Sequence, residues 1–90
     1  MEIWKFPFPL GDAVTVRIPA GARLLSAQVQ NGTPCVWALV QPDAGLVDRT
    51  LYIRGTGHSA SGMAVLPFVD TFQLRGGDLV FHVFDGGEVE

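Results

Sequence analysis

The chain of 90 residues has one cysteine, Cys35, so it can form neither an internal disulfide nor a zinc site built from cysteines. In an apolar strand, such a cysteine reads as a small buried hydrophobe rather than a nucleophile. Charge is scarce as well, at 17% of residues and a net of −3. Lys5, Arg17, Arg23, Arg49, Arg54 and Arg75 are spread along the chain, and without a basic run no nucleic-acid partner is expected. No apolar stretch reaches bilayer length and no basic-then-apolar leader opens the chain, so no membrane partner is expected and the reading is a soluble cytoplasmic protein. No segment sustains a 3.6-residue period, which excludes a helical domain. No cofactor is expected. His58 and His82 have neither HxH nor HxxxH spacing, and their convergence with Asp70 or Asp85 on a metal is disfavoured.

What the chain does have is apolar residues, 48% of the total, rich for so small a body. The surplus is expected to lie at a subunit interface, making the protein a homo-oligomer, with a dimer favoured. Short runs recur about every ten residues with turn signals between them, as in a β-sandwich or small barrel. "EIWKF" (2–6) alternates, and "FPFPLGD" then interrupts the ladder with prolines. "AVTVRI" (13–18) places Val14, Val16 and Ile18 on one face, and "LLSAQVQ" (24–30) places Leu25, Ala27 and Val29 inward. Asn31-Gly32 signals a type I′ hairpin turn, because both residues tolerate positive φ.

The return strand "TPCVWALVQ" (33–41) is apolar on both faces, which predicts a central strand that is either buried on both sides or covered by a partner subunit. Trp37, Val36 and Val40 are therefore the candidate interface residues. "RTLYIR" (49–54), "FVDTFQLR" (68–75) and "DLVFHVF" (78–84) complete about seven strands, with Gly76-Gly77 as a second two-residue hairpin. Phe72, Leu74, Leu79, Phe81 and Val83 are expected inward. The expectation is one all-β antiparallel domain over 1–84, followed by a frayed acidic tail over 85–90.

The polar, glycine-dense stretch "YIRGTGHSASGM" (52–63) is the natural place to look for a site. It lacks the lysine and following helix of a phosphate loop, and the chain cannot build the βαβ unit of a dinucleotide fold. A hydrolytic set of Ser59 or Ser61 with His58 and Asp48 or Asp70 is disfavoured, because neighbouring loop residues seldom hold a serine–histidine hydrogen bond. Arg54, Thr56, Gly57, His58 and His82 remain as candidate binders of a small polar or anionic ligand, with Trp37 or Tyr52 as a stacking surface. Strand histidines and arginines also face water for no other reason than alternation, and that plainer reading stands beside it.

Taken together, "IWKFP" (3–7), "PAGA" (19–22), "SAQVQNG" with "CVWALV" (26–40), "GTGH" (55–58), and "DTFQL" with "LVFHVF" (70–84) resemble a family of small single-domain proteins of unknown function from bacteria, phages and prophages. The resemblance spans nearly the whole chain. The family tends to read "GTFQ" where this chain has Asp70 before "TFQ". An all-β fold and a bacterial or mobile-element origin are what the resemblance implies, and it brings no catalytic residue. It also draws attention to "GTGH" as a candidate site or fixed turn. The expected function is a non-enzymatic binding or accessory protein acting through protein association. Sequestration of a small polar or anionic ligand near "GTGH" is the alternative, and hydrolysis comes third.

Overall fold

The computed structural model describes residues 1–89, and it contains seven strands: β1 (Glu2–Pro7), β2 (Ala13–Pro19), β3 (Arg23–Gln30), β4 (Thr33–Val40), β5 (Leu46–Gly55), β6 (Phe68–Leu74) and β7 (Leu79–Glu88). They form two antiparallel sheets, β1-β4-β3 and β2-β5-β7-β6. The sheets pack face to face as a sandwich, and no barrel closes.

Alternation sets the core. Val14, Val16 and Ile18 of β2, Leu51 and Ile53 of β5, and Val83 of β7 meet Ala27, Val36, Ala38 and Val40 of the smaller sheet. Phe72 is almost wholly buried and contacts Phe8 edge-on at 6.1 Å between ring centroids. Burying a side chain of that size contributes about 3 kcal/mol, so a few such residues carry much of the stability of a small domain.

The middle strand of the smaller sheet is β4, as its two-sided apolar pattern predicts. Val36 and Val40, however, point into the core at 0% and 1% exposure and offer nothing to another subunit. Of the three expected interface residues, only Trp37 lies on the outer face, half-buried.

Leu25 also departs from its expected place. Leu24 pairs with Ala38 and Ser26 with Trp37, so Leu25 is the extra residue of a β-bulge. A bulge inserts one unpaired residue and shifts the alternation, which is why Leu24 packs on the core while Leu25 is 40% exposed.

The Asn31-Gly32 turn has φ of 51° and 82°, as a type I′ hairpin requires. The second connection is longer than two residues. Arg75, Gly76 and Gly77 all take positive φ between β6 and β7, and Leu79 at its end is exposed.

Within the expected tail, the chain is strand as far as Glu88, and residue 90 lies outside the described residues. Arg49 pairs with Glu88 and Thr50 with Gly87, and Val89 N–H donates to Asp48 O at 2.8 Å. A cluster around Arg49 fixes this end. Arg49 is bidentate to Asp85, with Nε donating to Oδ1 at 2.9 Å and Nη2 to Oδ2, and its Nη1 donates to Ala22 O at 2.8 Å. Gly21 N–H donates to Glu88 Oε1 at 2.6 Å. The acidic composition of the segment disguised a set of counter-ions for a buried arginine.

One side of the sandwich is closed by a side chain. Asp70 Oδ2 on β6 accepts from Ala27 N–H and Gln28 Nε2 on β3, both at 3.1 Å. Among the described residues, no helix is long and apolar enough to cross a membrane.

Candidate functional site

The loop after β5 begins with a turn whose sequence can be explained residue by residue. His58 N–H donates to Gly55 O at 3.0 Å, which closes a four-residue β-turn. Gly57 has φ of 88°, the left-handed value that the third position of a type II turn needs. Gly55 is glycine for a different reason. The His58 ring folds back over it, and a Cβ at position 55 would lie 2.9 Å from His58 Nδ1. "GTGH" is therefore a turn built to lay an imidazole on its own first residue.

Thr56 ties the turn to the sheet. Its N–H donates to Val80 O at 3.0 Å, and its hydroxyl is hydrogen-bonded to His82 Nε2 at 2.7 Å. The other ring nitrogen, His82 Nδ1, is hydrogen-bonded to the Thr71 hydroxyl at 2.9 Å. Arg54, His82 and Thr71 are cross-strand neighbours in β5, β7 and β6, which places them in one row on the outer face of the larger sheet. His82 is thus held between two threonines and supports the turn from below, with both nitrogens engaged.

Three adjoining cavities, of about 380, 300 and 360 Å³, share Gly55 and His58. Asp12, Arg54, Ser59 and Ser61 line the first. Leu10, Gly11, Ile53 and Phe81 line the second, and Thr56, Asp78 and Val80 border the third. His58 stands where all three meet. Arg54 is anchored by Nη1, which donates to Asp12 O at 2.7 Å and Ile53 O at 3.0 Å, and its guanidinium lies 5.7 Å from the centroid of Tyr52. A guanidinium held through one nitrogen by backbone carbonyls has spare N–H groups for an acidic or polar group in the cavity.

The structure gathers four of the five candidate ligand residues, Arg54, Thr56, Gly57 and His58, at this turn. It assigns His82 to the turn's support. Trp37 is on the other sheet, so it does not share the site. Ser59 and Ser61, weighed in the sequence only for hydrolysis, line the cavity walls, as do Asp12 and Phe81, which the sequence did not mark as site residues. Asp12 reaches the site because Ile53 N–H donates to Asp12 O at 3.0 Å, which continues the β2–β5 ladder one residue past the strand. Only that pairing, and no spacing within the sequence, brings it there.

The first cavity is donor-rich, lined by a guanidinium, an imidazole and two serine hydroxyls together with the carboxylate of Asp12, and Asp78 borders the third. Among the described residues, no three histidines, cysteines or carboxylates cluster as metal ligands. Ser59 Oγ is occupied locally, accepting from Ser61 N–H at 3.4 Å, and no hydrogen bond joins either serine to His58 among the described residues.

The strongest electrostatic coupling is remote from this turn. The hydrogen bond to Asp85 holds the Arg49 guanidinium above its ordinary range, against the opposing effect of burial. Burial is the largest single influence on Asp85 and opposes its ionisation. The Arg49 hydrogen bond, the Gly87 N–H and the Arg49 charge together outweigh it and hold the carboxyl below its ordinary range. The cluster is structural, binding the end of β7 to β5 and the β2–β3 connection.

No curated protein and no solved structure matches the chain. A family model matches residues 1–90, the full length, and the chain belongs to the family described as "Domain of unknown function (DUF7352)".

Proposed function

We propose that this domain is a non-enzymatic binding module that holds a small polar or anionic ligand against the Gly55–His58 turn. The observation carrying this reading is the meeting of three cavities at one imidazole, beside an arginine already oriented by two carbonyls. An arginine fixed before binding loses little freedom on binding, so a small site can still be selective. The resemblance to small bacterial and phage-encoded proteins fits an accessory, cytoplasmic role of this kind.

The test is a thermal-shift screen of the full chain against phosphate, citrate, amino acids and sugars, together with native mass spectrometry of protein purified gently from its host. A hit or retained mass in the wild type that disappears in Arg54→Ala and His58→Ala, with far-UV circular dichroism unchanged, is the expected result. A wild type with no hit and no retained mass removes the reading.

A second reading, action through protein association, is favoured by the outer face of the smaller sheet. Ile3 is 61% exposed there, and half-buried Leu39 and Trp37 lie in the neighbouring strand, with Leu25 displaced outward beside them. Trp37→Ala combined with Ile3→Ser would abolish capture of a protein partner under this reading without altering ligand binding at the turn.

A further inference from the structure

Two sheets leave four edge strands, and three of them are guarded. The edge strand β1 carries Lys5 and ends on Pro7, β3 is bulged at Leu25, and β6 is both irregular between Phe68 and Asp70 and tied to β3 by Asp70. Charges, prolines, bulges and side-chain covers are the usual defences of an exposed edge. By contrast, β2 is regular in register throughout; its one charge, Arg17, is engaged by Asp48 of its own sheet, and its one proline, Pro19, lies at the strand's end beyond Ala13, Thr15 and Arg17.

Its ladder phase can be read from one bond. Ile53 N–H donates to Asp12 O, and Asp12 and Ile53 continue the pairing that joins Ala13 to Tyr52. Hydrogen-bonded and non-bonded pairs alternate in an antiparallel ladder, so Val14, Val16 and Ile18 spend their backbone groups on β5. The N–H and C=O groups of Ala13, Thr15 and Arg17 face away from it, at residues that are all exposed. None of them has a backbone hydrogen bond from outside the ladder among the described residues.

We propose that this edge is a self-association surface, where a second copy of the chain adds its own β2 antiparallel about a two-fold axis at Thr15. The register makes the edge self-complementary. Thr15 faces Thr15 of the second copy, and Ala13 faces Arg17 in both directions, each pair exchanging two hydrogen bonds. On the solvent face, threonine meets threonine, a favourable cross-strand pair, and no like charges are opposed. Arg17 is already directed along its own sheet by Asp48, at 3.0 Å. On the core side, Val14 meets Val16 of the second copy, so the apolar layer continues across the axis. The product is one continuous eight-stranded sheet made of two four-stranded ones. A heterologous strand could use the same backbone groups, but it would have to supply matching side chains at every position, whereas a second copy does so by symmetry.

Sedimentation equilibrium of the full chain tests this, using the wild type and three variants. The wild type is expected to show a monomer–dimer equilibrium. Thr15→Lys sets two like charges opposite each other on the axis, and Thr15→Pro removes an N–H that the β2–β5 ladder does not use; both are expected to be monomers with unchanged far-UV circular dichroism. Ala13→Glu places a carboxylate opposite Arg17 twice and is expected to tighten the dimer about two- to thirty-fold. If Thr15→Pro fails to fold, Thr15→Lys still decides the matter. A wild type that stays monomeric to near-millimolar concentration overturns the proposal, as does a folded Thr15→Lys that dimerises like the wild type. Neither outcome bears on the ligand site.

Discussion

The imidazole of His58 occupies the space that a side chain at Gly55 would need: a Cβ there would lie 2.9 Å from Nδ1 and 3.2 Å from Cε1. The relationship is local to four residues, yet it decides where the donor at the junction of three cavities stands. A methyl group at position 55 meets the movable end of a side chain, so the ring swings away and the backbone survives. Gly55→Ala is expected to change stability by less than about 1 kcal/mol while shifting the His58 ring resonances and weakening any ligand at the turn. Gly57→Ala would instead cost about 1 kcal/mol, because its φ of 88° strains any side chain. Urea denaturation with imidazole NMR separates the two effects.

Acid should unfasten the end of β7. The folded-state pKa of Asp85 lies below its unfolded value of about 3.9, so its ion pair contributes fully at neutral pH and is lost as pH falls below about 4. Asp85→Asn is expected to destabilise by about 3 kcal/mol at pH 7, since it leaves Arg49 buried with a weaker partner. Urea midpoints of both proteins measured from pH 7 to pH 2.5 should converge at the acid end.

Gly86 is constrained by backbone as well as by a ring. A Cβ there would approach Tyr52 Cε2 to 2.6 Å and Thr50 O to 3.0 Å, and the carbonyl cannot move without breaking the ladder. Gly86→Ala is expected to cost about 1–3 kcal/mol, lowering the melting temperature by roughly 4–8 °C per kcal/mol. Differential scanning calorimetry measures it directly.

Asp70 is the expected weak point of the closed side. Its carboxylate accepts from Ala27 N–H, Gln28 Nε2 and, through Oδ1 at 2.8 Å, Thr71 N–H. Asp70→Ala should cost about 1–2 kcal/mol and raise the exchange rate of the Ala27 amide while leaving core amides of β5 protected. Hydrogen exchange by NMR reads both.

How much of this was legible in the sequence depended on the range over which each cause acts. Alternation and turn chemistry are local, and they placed β1 to β7 closely, the Asn31-Gly32 hairpin included. The bulge at Leu25 was hidden because an extra residue in an apolar run leaves no mark in the pattern; it shows only when Leu24 and Ser26 are set against Ala38 and Trp37. Val36 and Val40 could not be told from Trp37 by composition, since both faces of β4 are apolar. Only the packing of the second sheet decides which face is core. The strand at Asp85–Glu88 was hidden for the same reason: these acids look solvated until Arg49, more than thirty positions upstream, is placed beside them. At the site, "GTGH" was conspicuous in sequence, whereas Asp12 entered only through the pairing of β2 with β5.

The order in which the chain visits its two sheets carries a kinetic consequence. It crosses between layers after β1, again after β2, and again after β4, and β2 must wait for β5 to find its partner within the chain. Before that meeting, the first half of the chain can complete only the β3–β4 hairpin, with β1 added beside it. Loop closure therefore has to be met before most of the apolar layer is rewarded, which puts folding in the slow range of milliseconds to seconds for a domain of this size. A nascent chain released before β5 emerges would display β2 with neither edge paired, valines and all. Its main hazard is then misassembly during synthesis, and the rate at which β5 arrives becomes as important to yield as the depth of the final energy minimum.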